Sequence, residues 1–403
     1  MYSDIFKDSK IEVRDKNKLT KEELNKIILA KLDNFGDIQA WTAVGSNKEL
    51  SYSTHGAMRF FGKFPPPIAT YLINKFTKQD SLVIDPMCGS GTTAVECVLN
   101  KRLCEVFDVN PLMTLLTKVK VTFLNIKEIN KEFKNIKKNY KPIKFISKNY
   151  KGIKDIEHWF LKKTLNSLLG IKFLIDKIKN KDLKDFFLVC FLSIVRRVSK
   201  ATTQQGRLFL DIETAQIETF SFFEKKVNKL KESICSLPKN KNIKIGNISL
   251  LENKKNYNAD LVVLHPPYFN SYKYSSINSL ELYWMNVDHA EIRKREIREF
   301  FKVGKIENYK KFVDDMSKCL ENAFNMLKKN GHLALMMGDT TIRGKYVRVV
   351  YETIIASKIK TSSIKTVALR VPKYTEASWA TSQRRIKKNI GITLNDFIII
   401  FKK

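Results

Sequence analysis

Three short apolar runs end abruptly at loops of small or rigid residues, and a long middle stretch carries helical spacing instead. Leu82, Val83 and Ile84 read as a buried strand that Asp85 and Pro86 terminate. Gly89 and Gly91 then allow positive φ and close approach to a ligand, and Thr92 and Thr93 open a helix, A-V-E-C-V-L, whose free N–H groups favour an anion. A second strand, L-C-E-V-F, delivers Asp108 seventeen residues after Gly91, where dinucleotide folds place the acid that holds a ribose hydroxyl pair. The spacing is not G-x-G-x-x-G, which argues against a nicotinamide cofactor.

The third run, A-D-L-V-V-L at 259–264, enters H-P-P-Y-F-N. Two successive prolines fix φ and remove two N–H donors, so the carbonyls of His265 and Pro266 form a rigid acceptor edge beside the ring of Tyr268. Such a loop suits a planar amine held by hydrogen bonds and stacking, as a flipped base is held. A Pro-Pro turn with a core tyrosine explains the segment equally well when it is taken alone.

Together the two loops resemble those of the DNA amino-methyltransferases, which move a methyl group from S-adenosylmethionine to the exocyclic nitrogen of adenine or cytosine. D-P-M-C-G-S-G-T-T at 85–93 is similar to their cofactor loop, and H-P-P-Y at 265–268 to their catalytic (Asp/Asn/Ser)-Pro-Pro-Tyr. T-H-G-A-M-R-F-F-G-K-F-P-P-P-I-A at 54–69 resembles the segment that closes over the methionine end of the cofactor. Y-F-N-S-Y-K-Y-S-S-I-N-S-L-E-L-Y-W-M after the tetrapeptide resembles N4-cytosine enzymes in particular, and the strands from G-H-L-A-L-M-M-G-D to D-F-I-I-I-F resemble the family's last ones.

The resemblance implies a class I methyltransferase fold: α/β, Rossmann-like, with a mostly parallel seven-stranded sheet and a helical insertion. It implies that Asp85, Gly89, Ser90, Gly91 and Thr92 shape the site for S-adenosylmethionine, that Asp108 takes the ribose hydroxyls, and that Lys63 and Phe64 lie near the methionine tail. Asn247 falls where the family often has an acid facing the adenine amine, and an amide can accept that bond too. His265, Pro266, Pro267 and Tyr268 would hold the target base, with cytosine N4 preferred over adenine N6. His265 departs from the family pattern. A histidine accepts only through an unprotonated ring nitrogen, so activity is expected to fall on acidification through about pH 6.5, with the Pro266 carbonyl sharing the work.

Length and charge add a partner and an insertion. About 130 residues separate Asn110–Pro111 from the next expected strand near 243, more than any ordinary loop, and they carry helical periodicity over 156–178 and 184–198. The expected organisation is an N-terminal helical segment 1–45, with T-K-E-E-L at 20–24 as a helix start; a cofactor-binding half 46–125; a helical insertion 126–240; and a catalytic half 241–403. Lysine and arginine number 73 against 41 acids in 403 residues, a formal charge of +32. A polyanion such as double-stranded DNA is the natural partner, although lysine-rich composition alone accounts for part of the charge. The lysine- and aromatic-rich stretch 127–154 suits phosphate contacts. Arg196, Arg197, Gln204, Gln205 and Arg207, with Arg384 and Arg385 in the tail, are candidates for reading base edges.

Six cysteines without C-x-x-C pairing argue against disulfides and structural zinc, and no metal is expected. Apolar runs meet charges before they reach membrane-spanning length, and there is no signal peptide, so a cytoplasmic, nucleoid-associated protein with no membrane contact is expected. Nothing resembles a nuclease, which would make a restriction endonuclease a separate partner. An RNA methyltransferase, and a catalytically silent DNA-binding scaffold with His265 as its lesion, are the remaining readings.

Overall fold

The computed structural model describes residues 11–44, 49–146, 152–153, 155–204, 207–211, 218–239, 242–269, 273–297, 306–342, 345–372 and 395–403. Its strands are β1 (Ile11–Asp15), β2 (Asp37–Ala43), β3 (Leu82–Asp85), β4 (Leu103–Phe107), β5 (Ala201–Gln204), β6 (Arg207–Leu210), β7 (Ile243–Gly246), β8 (Ala259–Leu264), β9 (Leu327–Ile342), β10 (Lys345–Val347), β11 (Ile364–Arg370) and β12 (Asn395–Lys402). Ten of them form one sheet in the order β1-β2-β11-β12-β9-β8-β3-β4-β7, with β10 hairpinned onto β9; β5 and β6 form a separate ribbon.

Within that order lies the expected methyltransferase sheet. From β11 to β7 seven neighbouring strands run side by side, and only β12 is antiparallel to the strands beside it. Helices cover both faces, which is why β3 and β8 are apolar at nearly every position rather than at alternate ones. Val83, Leu261, Val263 and Ala334 point into one core, while Ile84, Val262, Leu264 and Leu333 point into the other, as the two-residue period of a strand requires.

The seven expected strands form the body of a sheet of ten: β10 hairpins onto β9, and the other two additions lie at the N-terminus. Residues 1–45 are not helical throughout: β1 pairs antiparallel with β2, and β2 lies parallel to β11, extending the sheet by two strands. The segment's charge hides a short amphipathic strand in which Ile38, Ala40 and Trp41 are buried. The helix expected from T-K-E-E-L does form, over Lys21–Leu29, with Thr20 and Glu23 closing a reciprocal capping box.

Residues 126–240 contain helices Ile126–Asn139, Lys162–Asp176, Lys181–Val195 and Thr219–Cys235, which pack around Phe186, Phe187, Phe191 and Phe223, together with the β5–β6 ribbon. That core is continuous with Tyr283 and Trp284, so these helices pack against the segment that follows β8. Among the described residues no helix is long and apolar enough to cross a membrane.

Candidate active site

Four neighbouring strands bring the site to one edge of the sheet. β8, β3, β4 and β7 are mutually parallel, so the segments leaving them emerge on the same side: His265 after β8, Asp85 at the end of β3, Asp108 after β4 and Asn247 after β7. Open parallel sheets bind ligands outside these carboxyl ends. There the surface folds into a cleft of about 1110 Å³, counting the open solvent at its mouth.

The glycine loop forms one wall. Gly89 and Gly91 have φ of 47° and 74°, and Gly91 N donates to Cys88 O at 2.7 Å to tighten the turn. A Cβ on Gly91 would lie 2.4 Å from Thr117 Oγ1, so the helix behind the loop packs directly on its backbone. Asp108 is gripped by that loop: its Oδ2 accepts from Gly89 N at 2.9 Å and its Oδ1 from Asn110 N at 2.9 Å. Burial nevertheless pushes its carboxyl up to about 6 and that of Asp85 up to about 7. Asp85 Oδ1 also accepts from Met87 N at 3.1 Å, closing the bend that ends β3. The buried Thr92 Oγ1 and Asn110 Nδ2, both on residues of the wall, have no hydrogen-bond partner among the described residues. Buried polar atoms are normally paired, so their state suits a polar ligand.

The proline loop forms the facing wall. His265 stands with its ring 5.3 Å from Phe64 and edge-on to Tyr268 at 5.5 Å. Burial, reinforced by the nearby Arg370 guanidinium, pushes the imidazole down to about 3. An imidazole lowered in this way would keep an unprotonated, accepting nitrogen below pH 6.5, against the expected loss through that value. Arg370 is itself paired with Asp396 at 2.7 Å.

The cleft gathers Phe64, Asp85, Gly89, Ser90, Thr92, Asp108, His265, Pro266, Pro267 and Tyr268 onto its walls. Three other residues named from the sequence lie just behind. Gly91 caps the Thr92–Leu99 helix, Lys63 turns its amine back onto His55 O at 2.9 Å, and Asn247 donates to Asp108 O at 2.8 Å while accepting from Arg295 Nη1 at 3.0 Å. Phe60, Tyr274, Arg295 and Glu296 also line the cleft. Phe60 and Tyr274 stack at 5.5 Å, and both fall within stretches whose likeness to the family was visible. Arg295 and Glu296 gave no signal, because H-A-E-I-R-K-R-E reads as an ordinary solvated helix. Glu296 accepts from Ser275 N at 3.0 Å and Oγ at 2.7 Å, and burial pushes its carboxyl up to about 7.

Among the candidate base readers, Arg196 is corrected. Its Nε and Nη2 donate to Glu281 Oε1 at 3.1 and 2.7 Å and Nη2 to Asn278 Oδ1 at 3.0 Å, because the buried Glu281 needs a cation. Arg197 is exposed. Gln204 and Arg207 sit in the β5–β6 ribbon at paired positions, while Gln205, Arg384 and Arg385 lie outside the described residues.

Sequence comparison agrees with this geometry. The DNA methylase family matches residues 3–139, and two curated relatives are type II methyltransferases. Over residues 3–139, about a third of the chain, the sequence is similar to that family. It is 28% identical to M.MvaI of Kocuria varians over 228 residues, 50% of each protein, and 31% identical to M.MjaII of Methanocaldococcus jannaschii over 86 residues, 21% of this chain and 16% of that one. The matches thus span at most half the length of these relatives. Against the crystal structure of TrmN from Thermus thermophilus the TM-score is 0.34 at 9% identity, over 88% of this chain and 53% of that one, too faint a likeness to add to the sheet order.

Proposed function

We propose that this protein methylates the exocyclic amine of a base flipped out of double-stranded DNA, with cytosine N4 as the preferred target. The observation that carries the reading is that the glycine loop with Asp108 and the His265–Tyr268 loop face each other across one cleft. The glycine cradle that a Cβ would fill, the acid after β4 and the unpartnered Thr92 hydroxyl and Asn110 amide fit S-adenosylmethionine. When bound, that molecule supplies a methyl group activated on a sulfonium.

The chain's own contribution is alignment. An exocyclic amine is a weak nucleophile because its lone pair is delocalised into the base. The neutral imidazole of His265 and the Pro266 carbonyl accept its two hydrogens, turning the nitrogen towards a tetrahedral shape with its lone pair free. The nitrogen would take the methyl group as the methyl's bond to the sulfonium sulfur breaks, the electron pair of that bond staying on sulfur, and would release one proton to solvent. Pre-set dipoles and positioning account for the rate without a strong base. Tyr268 stacks on the base and offsets part of the unstacking cost of a few kcal/mol.

The tyrosine-rich context that places Tyr274 on the cleft wall favours cytosine, since that stretch is the one most similar to N4-cytosine enzymes. The net charge of +32 and the lysine-rich Ile126–Asn139 helix suit phosphate contact, and the exposed Arg197 remains a candidate for base contact. A separate endonuclease would complete a restriction-modification pair. Incubating the full chain with radiolabelled S-adenosylmethionine and unmodified genomic DNA, then analysing nucleosides by mass spectrometry, tests the reading. N4-methylcytosine is the expected product. N6-methyladenine would overturn the base assignment, and label confined to transfer RNA, or no transfer at all, would overturn the reaction.

A further inference from the structure

Behind the glycine loop lies a buried cluster of ionisable groups that takes no part in holding the base or the ribose. Lys120, on the Pro111–Val121 helix, is 1% exposed, and its amine donates to the main-chain carbonyl of Ser90 in the turn of the loop. Thr117, one helical turn earlier, contacts the same loop: its Oγ1 lies 3.7 Å from Cys88 Sγ, and its side chain fills the space a Cβ on Gly91 would need. The carbonyl of Lys120 in turn accepts from Thr54 Oγ1 at 2.8 Å.

The carboxyl of the cluster is Glu96, 1% exposed on the Thr92–Leu99 helix that the loop opens. Its Oε1 accepts from Tyr52 OH at 2.7 Å and from His55 Nε2 at 2.6 Å, and its Oε2 accepts from Thr70 Oγ1 at 2.5 Å. Lys63 Nζ closes the ring on the carbonyl of His55. Tyr52, Thr54, His55 and Lys63 belong to the segment whose next residue, Phe64, stands on the cleft wall against His265.

Stability alone does not account for this arrangement. Withdrawing an ammonium and a carboxylate from water is unfavourable enough that apolar residues of similar volume often replace such groups with neutral or stabilising effect. Burial holds the Lys120 ammonium well below the ordinary lysine range and pushes Glu96 up to about 7, directions that express the same penalty. What a methionine in place of Lys120 could not do is bind the Ser90 carbonyl. That bond holds the carbonyl inward, while the N–H of Gly89 remains on Asp108.

We propose that Lys120 is a positioning residue for the cofactor loop, fixing the Ser90 carbonyl from behind, and that Glu96 ties the 52–63 segment to the same frame so that both sides of the cofactor pocket are set before a ligand arrives. The proposal rests on the reading of the cleft as an S-adenosylmethionine site for its calorimetric readout only. Full-length Lys120→Met is compared with wild type by hydrogen exchange of the unliganded loop amides 87–92, by thermal unfolding and by calorimetric titration with S-adenosylmethionine. The expected result is a melting temperature equal to or above wild type, loop exchange at least tenfold faster and a Kd at least tenfold weaker. Lys120→Gln, whose polar end is too short to reach Ser90, is made alongside and should show the same loop and affinity changes, so the proposal stays testable if the methionine variant does not fold. Loop exchange within twofold of wild type overturns the proposal, as does a large loss of melting temperature without faster local exchange. If wild type itself does not bind S-adenosylmethionine, the proposed function falls, and the exchange comparison still decides the role of Lys120.

Discussion

β3 and β8 are adjacent parallel strands of similar apolar sequence, yet the loops that leave them are chemical opposites. After β3 the chain uses glycines, which expose N–H groups and bring backbone close to a ligand; after β8 it uses two prolines, which delete N–H groups and leave only acceptors. The first loop begins at Asp85 and holds Asp108, the acid that follows β4, both carboxyls raised by burial, while burial lowers the imidazole of the second. The difference teaches that a shared strand frame specifies where two ligands meet, and the residues that end the strands specify what each ligand must be. A donor-rich cradle with acids suits ribose hydroxyls and charged ends; an acceptor-only edge with a flat ring suits an aromatic amine.

Substitution should separate the two loops cleanly. His265→Ala removes an acceptor needed only as the amine changes shape, so the single-turnover methylation rate should fall by about 10²- to 10³-fold while the Kd for S-adenosylmethionine stays within about twofold. Asp108→Ala should do the reverse, weakening cofactor affinity by about 100-fold by calorimetry, the scale of a hydrogen bond to a charged group at about 2–3 kcal/mol, while leaving nonspecific DNA binding intact. A variant of either loop that lost both properties together would erase the contrast.

The loops should also differ in how rigidity is achieved. Gly91→Ala forces a side chain onto a φ of 74° and against Thr117, so denaturant unfolding should show a loss of about 2 kcal/mol, within the range for a strained backbone held in place. Pro267→Ala meets no such obstacle and acts mainly by freeing the unfolded chain, with a loss of about 0.4–1 kcal/mol. Equal losses would mean that the proline loop is strained as well.

Much of this contrast was legible in the sequence because it depends on residue types whose backbone behaviour is local. Gly89, Gly91, Pro266 and Pro267 announce their loops, and a run such as L-V-I-D needs no partner to read as a buried strand. The capping box at Thr20 and Glu23 was visible for the same reason. Tertiary pairing was not. β2 becomes a strand because β11 offers it an edge, and Trp41, Ile38 and Ala40 look like an ordinary mixed segment until that edge exists. Glu296 and Lys120 carry charges that a sequence assigns to solvent, and only packing turns them inward. Arg196 failed in the opposite direction: it read as a free arginine because Glu281, 85 residues away, could not be seen as its partner.

The sharpest separation is with pH. His265 sits at about 3, below its ordinary value of 6.5, so the neutral acceptor persists as pH falls from 8 to 5. Asp108 at about 6 and Asp85 at about 7 lie above their ordinary 3.8, so acidification over that same range protonates the carboxyls of the cofactor wall. Cofactor affinity should therefore weaken below about pH 7, by at most about tenfold per unit for each group that must be ionised to accept, whereas the single-turnover rate at saturating cofactor should stay level through pH 6.5. Linkage to folding carries the two signs apart as well. The raised carboxyls favour the fold most below about pH 4, and that contribution disappears as pH rises through 6 to 7. The depressed histidine contributes above about pH 6.5, and its share fades as pH falls towards 3. Calorimetric Kd and single-turnover rates measured in parallel from pH 5 to 8 decide the matter. A rate that drops about pH 6.5 under saturation would place His265 in a far wetter setting than the one described, and a pH-independent Kd would remove the carboxylates from cofactor binding.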